Sequence, residues 1–192
     1  GMTGADGKVV APQVPSKHTE TDAAYPVTAM WLGKDVSPGP VTITSSRTYI
    51  LTATNVATLT VQAVGAQGQG LSAAQVDIKN SAGTTVFSGV TNEQGIVNVE
   101  VPYDTYTTSV DYKGFTSTST TTVSSAAPTP TKIATNVFIE IFGQAMTFAT
   151  FVLWIIVIVI VVLVLAIVIH EYHVWRRKRL PQLFGAPRVP GA

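Results

Sequence analysis

The chain of 192 residues contains no cysteine at all. Disulfide bonds, thiolate zinc sites, iron–sulfur clusters and cysteine nucleophiles are therefore excluded in any compartment. The sequence also has no G-x-S-x-G nucleophile motif, no phosphate-binding glycine loop and no histidine between residues 26 and 124 to serve as a base. We therefore expect a non-enzymatic protein without a bound cofactor.

Positive charge is scarce in most of the chain. Residues 1–147 contain seven Lys and Arg against ten Asp and Glu, whereas residues 148–192 contain five and one. Nucleic-acid binding needs a basic surface that neutralises phosphates, and the larger part of the chain does not offer one. We expect no nucleic acid among the partners.

Charge is absent altogether from a long stretch near the C-terminus. No Asp, Glu, Lys or Arg occurs between Glu140 and Glu171, and 18 of the 22 residues 148–169 are Ile, Val, Leu or Phe. As a helix this run is about 33 Å long, enough to cross a hydrocarbon core of about 30 Å. We predict a transmembrane helix at 148–169, surrounded by the lipid bilayer.

A basic cluster follows this run at Trp175, Arg176, Arg177, Lys178 and Arg179. The positive-inside rule places such a cluster in the cytoplasm, where it can also meet anionic lipid headgroups. We therefore expect a single-pass cell-membrane protein with its N-terminus outside and residues 170–192 as a basic cytoplasmic tail. Export of the N-terminal part requires a signal peptide, which we expect to have been cleaved. The competing topology is a tail-anchored protein with its domain in the cytosol.

Short β-rich runs alternate with turn sequences in residues 26–124. The predicted strands cover residues 27–32, 41–44, 48–54, 58–64, 75–79, 84–90, 96–101, 105–112 and 116–123. Such spacing is typical of an all-β sandwich, with Gly83 and Gly95 in hairpin turns that need a positive φ. We predict an extended N-terminal arm at 1–25, an extracytoplasmic sandwich at 26–124 and a Pro/Ser/Thr linker at 125–132. The Ser/Thr-rich end of the sandwich is a final strand or, alternatively, an O-glycosylated stalk.

Four turn motifs lie within residues 59–115. They are the glycine-rich turn in VGAQGQGLSAAQV (64–76), TNEQG (91–95), VPYDTY (101–106) and YKGF (112–115). They resemble the carboxypeptidase regulatory-like domain, a transthyretin-like β-sandwich with immunoglobulin-type topology. Asn92 stands where this family usually has Asp, and Asp104 where it usually has Gly. The resemblance implies a structural or binding module with no activity of its own.

Residues 133–147 fit either a strand or an amphipathic helical lead-in to the membrane helix. In a helical projection Asn136, Glu140, Gln144 and Thr147 form a polar stripe beside Gly143. Polar side chains are costly near lipid, and small residues let helices approach closely. The stripe therefore predicts a docking face for a neighbouring membrane helix or, alternatively, a face turned to interfacial water.

His170 and His173 lie three residues apart on the predicted helix, and the remaining histidine of the chain is His18. This is not the H-E-x-x-H zinc motif, whose histidines are four residues apart. We predict no metal site formed by this chain alone, and an interfacial polar belt with Tyr172 and Trp175 instead. Ligation shared with a partner subunit is the alternative.

Together these features predict a non-catalytic accessory or scaffold subunit of a larger membrane complex, with other integral membrane subunits as partners. The first alternative is a free-standing cell-surface adhesin or envelope-layer anchor. The second is a small subunit that donates a ligand to a membrane enzyme, through His170 or Glu140.

Overall fold

The computed structural model describes residues 2–3, 8–11, 14–15, 17–18, 21–45 and 47–183, and within these the side chains of 17–18, 21–23 and 178–183 lie outside the description. In these ranges the chain forms a mostly β-strand domain in several small sheets, followed by one long apolar helix. It divides into two compact units, Gly1–Thr135 and Asn136–Ala192.

Five short strands lie near the N-terminus. They are β1 (Lys17–His18), β2 (Thr21–Val27), β3 (Met30–Trp31), β4 (Lys34–Asp35) and β5 (Gly39–Ile43). β1, β2 and β5 form an antiparallel sheet with β2 in the middle, and β3 and β4 form a separate hairpin. The boundary predicted between arm and domain at residue 25 differs from the structure, because β2 begins before it and pairs along its length with β5.

The strand predicted at residues 48–54 is absent. Here the chain curls back, because the hydroxyl of Tyr49 accepts hydrogen bonds from the backbone N–H groups of Thr44, at 2.9 Å, and Ser45, at 3.2 Å. The segment rejoins the domain where the N–H of Thr54 donates to the carbonyl of Val36, at 3.1 Å. The β-rich composition of this segment is therefore not used in a sheet.

Seven further strands build the rest of the first unit. They are β6 (Val56–Val64), β7 (Gln75–Lys79), β8 (Thr85–Val90), β9 (Ile96–Pro102), β10 (Asp104–Tyr112), β11 (Phe115–Val123) and β12 (Thr131–Ala134). A four-stranded antiparallel sheet has the order β11-β10-β7-β8. A three-stranded sheet has the order β12-β6-β9, in which β12 runs parallel to β6.

The core comes from the inward positions of these alternating strands. Leu59, Val61, Val76, Ile78 and Val110 are fully buried. Each such side chain stabilises the fold by about 1.5–3 kcal/mol relative to exposure. The polar residues between them point outward, so one face of each sheet is buried and the other is solvated.

The turn before β9 confirms the prediction of a positive φ at Gly95, which has a φ of 76°. The side-chain oxygen of Asn92 accepts hydrogen bonds from the N–H groups of Gln94, at 3.0 Å, and Ile96, at 2.8 Å. An asparagine oxygen makes this turn as an aspartate would. Gly83 also has the predicted positive φ, at 78°.

A buried tyrosine fixes the crossing from β9 to β10. The hydroxyl of Tyr106 donates to the carbonyl of Pro102 at 2.7 Å, four residues upstream. Burial first, and then the nearby Asp104 carboxylate, raise the pKa of Tyr106 to about 12. The hydrogen bond joins the end of β9 to β10.

The second unit consists of a β-hairpin and the helix. The hairpin pairs β13 (Ile139–Ile141) with β14 (Gln144–Met146), and α1 (Phe148–Leu183) follows directly. The helical lead-in considered for residues 133–147 is therefore wrong. Residues 131–134 form a strand that pairs with β6, so the linker ends before the predicted residue 132. In residues 139–141 apolar side chains alternate with a polar one, which favours a strand.

Candidate functional site

α1 has the properties of a membrane span. Its segment Phe148–Arg177 is 30 residues long, is apolar enough to cross a bilayer, and is not buried inside the protein. Large apolar side chains are exposed on every side of it, and a helix that is apolar all round needs an apolar surrounding. The structure is therefore consistent with a single-pass membrane protein.

The start of α1 is well defined. The hydroxyl of Thr147 accepts a hydrogen bond from the N–H of Thr150 at 3.2 Å, as an N-cap residue does. The Phe138 ring packs edge-on against Phe148, with centroids 5.1 Å apart, and against Phe151, at 5.6 Å. Thr147 thus has a local role at the helix end, and aromatic packing fixes the base of the hairpin next to the first helical turn.

The proposed docking residues do not form the stripe that a helix would give them. Asn136 precedes β13, Glu140 lies within β13, Gly143 lies in the turn and Gln144 begins β14. Thr147 caps α1. The helical projection requires one continuous helix, whereas a turn and the start of α1 separate these residues here. The docking hypothesis therefore loses the geometry on which it was based.

The other end of the apolar segment contains the polar belt residues. The rings of Tyr172 and Trp175 stack with centroids 6.4 Å apart. His170, Glu171, Trp175 and Val174 line a surface hollow that belongs to this one helix. Among the described residues, no group of three His, Cys, Asp or Glu could hold a metal ion.

The basic cluster is part of α1. Arg176 and Arg177 are exposed on the helix next to Trp175, and the helix continues through Lys178 and Arg179. The side chains of these last two residues lie outside the described part. Residues 184–192 of the predicted cytoplasmic tail also lie outside it.

Three two-residue hairpin turns share one geometry, with positive φ at both central residues. They are Leu32-Gly33, Lys113-Gly114 and Phe142-Gly143, and the φ values of their first residues are all 52°. Positive φ at both positions is typical of type I′ turns, which favour Asn-Gly because bulky side chains are strained there. A leucine and a phenylalanine at such positions are therefore unfavourable for the turn itself.

The tip of the β3–β4 hairpin exposes a run of three apolar residues, which we call the β3–β4 tip. Met30 is 68% exposed, and Trp31 and Leu32 are each 37% exposed. Sequence reasoning missed this surface because it assigned residues 27–32 to one strand. The Leu-Gly pair between β-rich runs was the signal that could have revealed the turn.

An ion pair connects this hairpin to the strand corner. The ammonium group of Lys34 lies 2.9 Å from the carboxylate of Asp104, whose side chain is only 7% exposed. The hydroxyl of Ser81 donates to the same carboxylate at 2.8 Å. Burial alone would raise the pKa of Asp104, but the hydrogen bonds from Lys34, Ser81 and the backbone lower it to about 2. Asp104 thus connects the β3–β4 hairpin to the start of β10.

Comparison with known proteins gives distant structural matches. No protein-family model and no curated protein matches the chain. The Bacillus anthracis TIE protein is 20% identical with a TM-score of 0.39, and the match covers 53% of this chain and 21% of that one. S.CueP is 16% identical with a TM-score of 0.34, and the match covers 49% of this chain and 72% of that one. The chain therefore spans about a fifth of the TIE chain. It has a β-rich domain with distant structural matches and one long apolar C-terminal helix, and no family is identified.

Proposed function

We propose that the protein is a non-catalytic, single-pass membrane protein that acts as an accessory or scaffold subunit of a larger membrane complex. α1 anchors it, and the β-rich domain is its extracytoplasmic interaction module. The observation that carries the proposal is the β3–β4 tip, where three consecutive apolar residues of the β-rich domain are exposed.

The chemistry of this tip favours contact with another protein. Trp and Met are enriched in the centres of protein interfaces, and contiguous exposed apolar residues mark interaction sites. Leu32 also has the strained positive φ of a type I′ turn, at a position where Asn would cost less. The turn geometry therefore does not require an apolar side chain at this position, and Lys113 occupies the same position in the β10–β11 turn. The ion pair between Lys34 and Asp104 presents the tip in a fixed orientation, so little ordering is needed on binding.

Two finer features belong to the same proposal. The Tyr106–Pro102 hydrogen bond is similar to the tyrosine corner of immunoglobulin-like folds and supports a transthyretin-like or immunoglobulin-like sandwich. The basic residues that follow the apolar segment support an orientation with the C-terminus in the cytoplasm.

The composition of the native complex tests this function. The full-length protein, extracted from its own membranes in a mild detergent, should co-purify with integral membrane partners in fixed stoichiometry. A solitary protein would contradict the proposal and favour a free-standing surface protein or envelope-layer anchor.

Substitution of the tip tests the surface itself. Leu32→Asn should preserve or improve the turn, because Asn tolerates positive φ, while it removes an exposed apolar side chain. We expect the yield of co-purified partner to fall several-fold. Lys113→Asn is the matched control, since it changes the β10–β11 turn of the same geometry without removing an apolar surface. Full co-purification by the Leu32 variant would show that docking does not use the β3–β4 tip.

A further inference from the structure

The tip of the β13–β14 hairpin carries a second apolar residue that is unfavourable for its turn, Phe142. Phe142 is fully exposed and has a φ of 52°, and Gly143 beside it has a φ of 79°. Exposure of an aromatic ring to water and a positive φ for a bulky residue are each unfavourable. Asn-Gly would form the same turn without either cost.

The surroundings of this tip are those of a membrane boundary. The hairpin belongs to the same compact unit as α1, and the Phe138 ring packs against Phe148 and Phe151 in the first helical turns. Phe142 is six residues from Phe148, so the two backbones lie at most about 20 Å apart. The tip is thus confined to the neighbourhood of the point where α1 enters the apolar phase.

The sequence around the tip suits the lipid interface. No charged residue occurs between Glu140 and Glu171, so the turn, β14 and the start of α1 are all uncharged. Ile139, Ile141 and Met146 are only half-buried in the hairpin, which leaves apolar surface beside the phenyl ring. An apolar side chain such as Phe gains free energy when it leaves water, and interfacial segments bury Phe, Leu and Trp at the boundary between headgroups and acyl chains.

From this geometry we infer that the β13–β14 tip inserts Phe142 into the lipid interface of the leaflet in which α1 begins. The hairpin is then a second, shallow membrane contact that fixes the rotation of the unit about the helix axis. The inference rests on the proposed membrane span of α1. Lipid is the contact that the inference selects, because the tip is only six residues from the start of a helix whose apolar side chains are exposed on every side.

Site-directed spin labelling tests the inference without interference, because the chain has no native cysteine. Phe142→Cys is labelled in the full-length protein and reconstituted into phosphatidylcholine nanodiscs. Collision rates with oxygen, which concentrates in lipid, and with a water-soluble nickel chelate are then compared. A label at Lys113→Cys gives the value for a tip of identical turn geometry on the β-rich domain, and a label at Ile160→Cys reports the middle of the span.

We expect the ratio of oxygen to nickel accessibility at position 142 to be several-fold higher than at 113 and below that at 160. A label at Gln144→Cys keeps Phe142 in place, and its ratio of oxygen to nickel accessibility should also be higher than that of the label at position 113. A ratio at 142 equal to that at 113 would mean that the tip lies in water and would overturn the inference while leaving the span intact. Low accessibility of the label at position 142 to both reagents would mean that this position contacts protein, and it would also overturn the inference. Water-like values at 160 would contradict the membrane span itself, and the inference with it.

Discussion

Two buried threonines of the β-rich domain differ in how their hydroxyl groups are bonded. The hydroxyl of Thr91 donates to the carbonyl of Leu71 and accepts from the N–H of Ala74, the latter at 3.0 Å. The hydroxyl of Thr108 is buried on β10 and has no hydrogen-bond partner among the described residues. A satisfied polar group specifies the local backbone, whereas an unsatisfied one costs free energy.

Replacement of each threonine by valine should therefore have opposite effects. Thr108→Val should raise the free energy of unfolding by about 1 kcal/mol, because it removes an unpaired buried hydroxyl. Thr91→Val should lower it by about 1–3 kcal/mol, because it leaves the Ala74 N–H and the Leu71 carbonyl unpaired. Denaturant titration of the detergent-solubilised chain, followed by the circular dichroism of its strands, measures both. Equal losses in the two variants would show that Thr108 has a partner.

Asp104 gives the domain a predictable dependence on acid. Its pKa falls from 3.8 to about 2 in the folded protein, so folding favours the ionised form. The stability from this group is present above pH 3.8 and is lost as the pH falls through about 2. Asp104→Asn should lower the thermal midpoint at pH 7, and the difference from the native chain should shrink between pH 4 and pH 2. A difference that is constant over this range would contradict the ion pair with Lys34.

At the level of the elements, β6 to β11 follow closely from the sequence, whereas the flanking strands do not. Alternating residues such as Val97, Asn98 and Val99, together with glycines at positive φ, determine strands and turns locally. β12 depends on parallel pairing with β6, about 70 residues earlier in the chain, which no local pattern reveals. Residues 139–146 satisfy the apolar patterns of both a strand and a helix, and the Phe-Gly turn decides between them.

Of the two candidate surfaces, the membrane span can be predicted from the sequence, whereas the β3–β4 tip cannot. The membrane span follows from composition alone, because an uncharged run of 22 residues with 18 Ile, Val, Leu or Phe is long enough to cross a bilayer. The β3–β4 tip depends on two observations that the sequence does not contain. One is the exposure of Met30, and the other is the pairing of Lys34 with Asp104.

The turn at Gly95 offers a test of the fold at this scale. A Cβ added to Gly95 would lie 2.5 Å from the carbonyl oxygen of Ala63, whereas one added to Gly83 would meet no atom within 4 Å. Both glycines have a positive φ, so Gly83→Ala isolates the conformational cost of about 1 kcal/mol. Gly95→Ala adds steric overlap and should cost about 2–4 kcal/mol in all. The same denaturant titration measures both, and equal losses would contradict the close approach of this turn to β6.

At the level of the whole molecule, the chain combines a domain with a buried core and a helix that leaves its apolar side chains uncovered. These two parts need different surroundings, water for the first and an apolar phase for the second. A bilayer satisfies both along one chain. The basic residues at Arg176 and Arg177 then favour retention of the C-terminal end in the cytoplasm.

Cysteine accessibility in intact cells or spheroplasts tests this topology most directly, since every introduced cysteine is unique in the chain. Thr118 is exposed on β11 and serves as the site in the β-rich domain, and Ala192 is the site that follows the apolar segment in the sequence. We expect a membrane-impermeant maleimide to label Thr118→Cys from outside, and to label Ala192→Cys only after the membrane is permeabilised. Labelling of Ala192→Cys from outside with protection of Thr118→Cys, or release of the protein from membranes by alkaline carbonate, would contradict the proposed single-span topology.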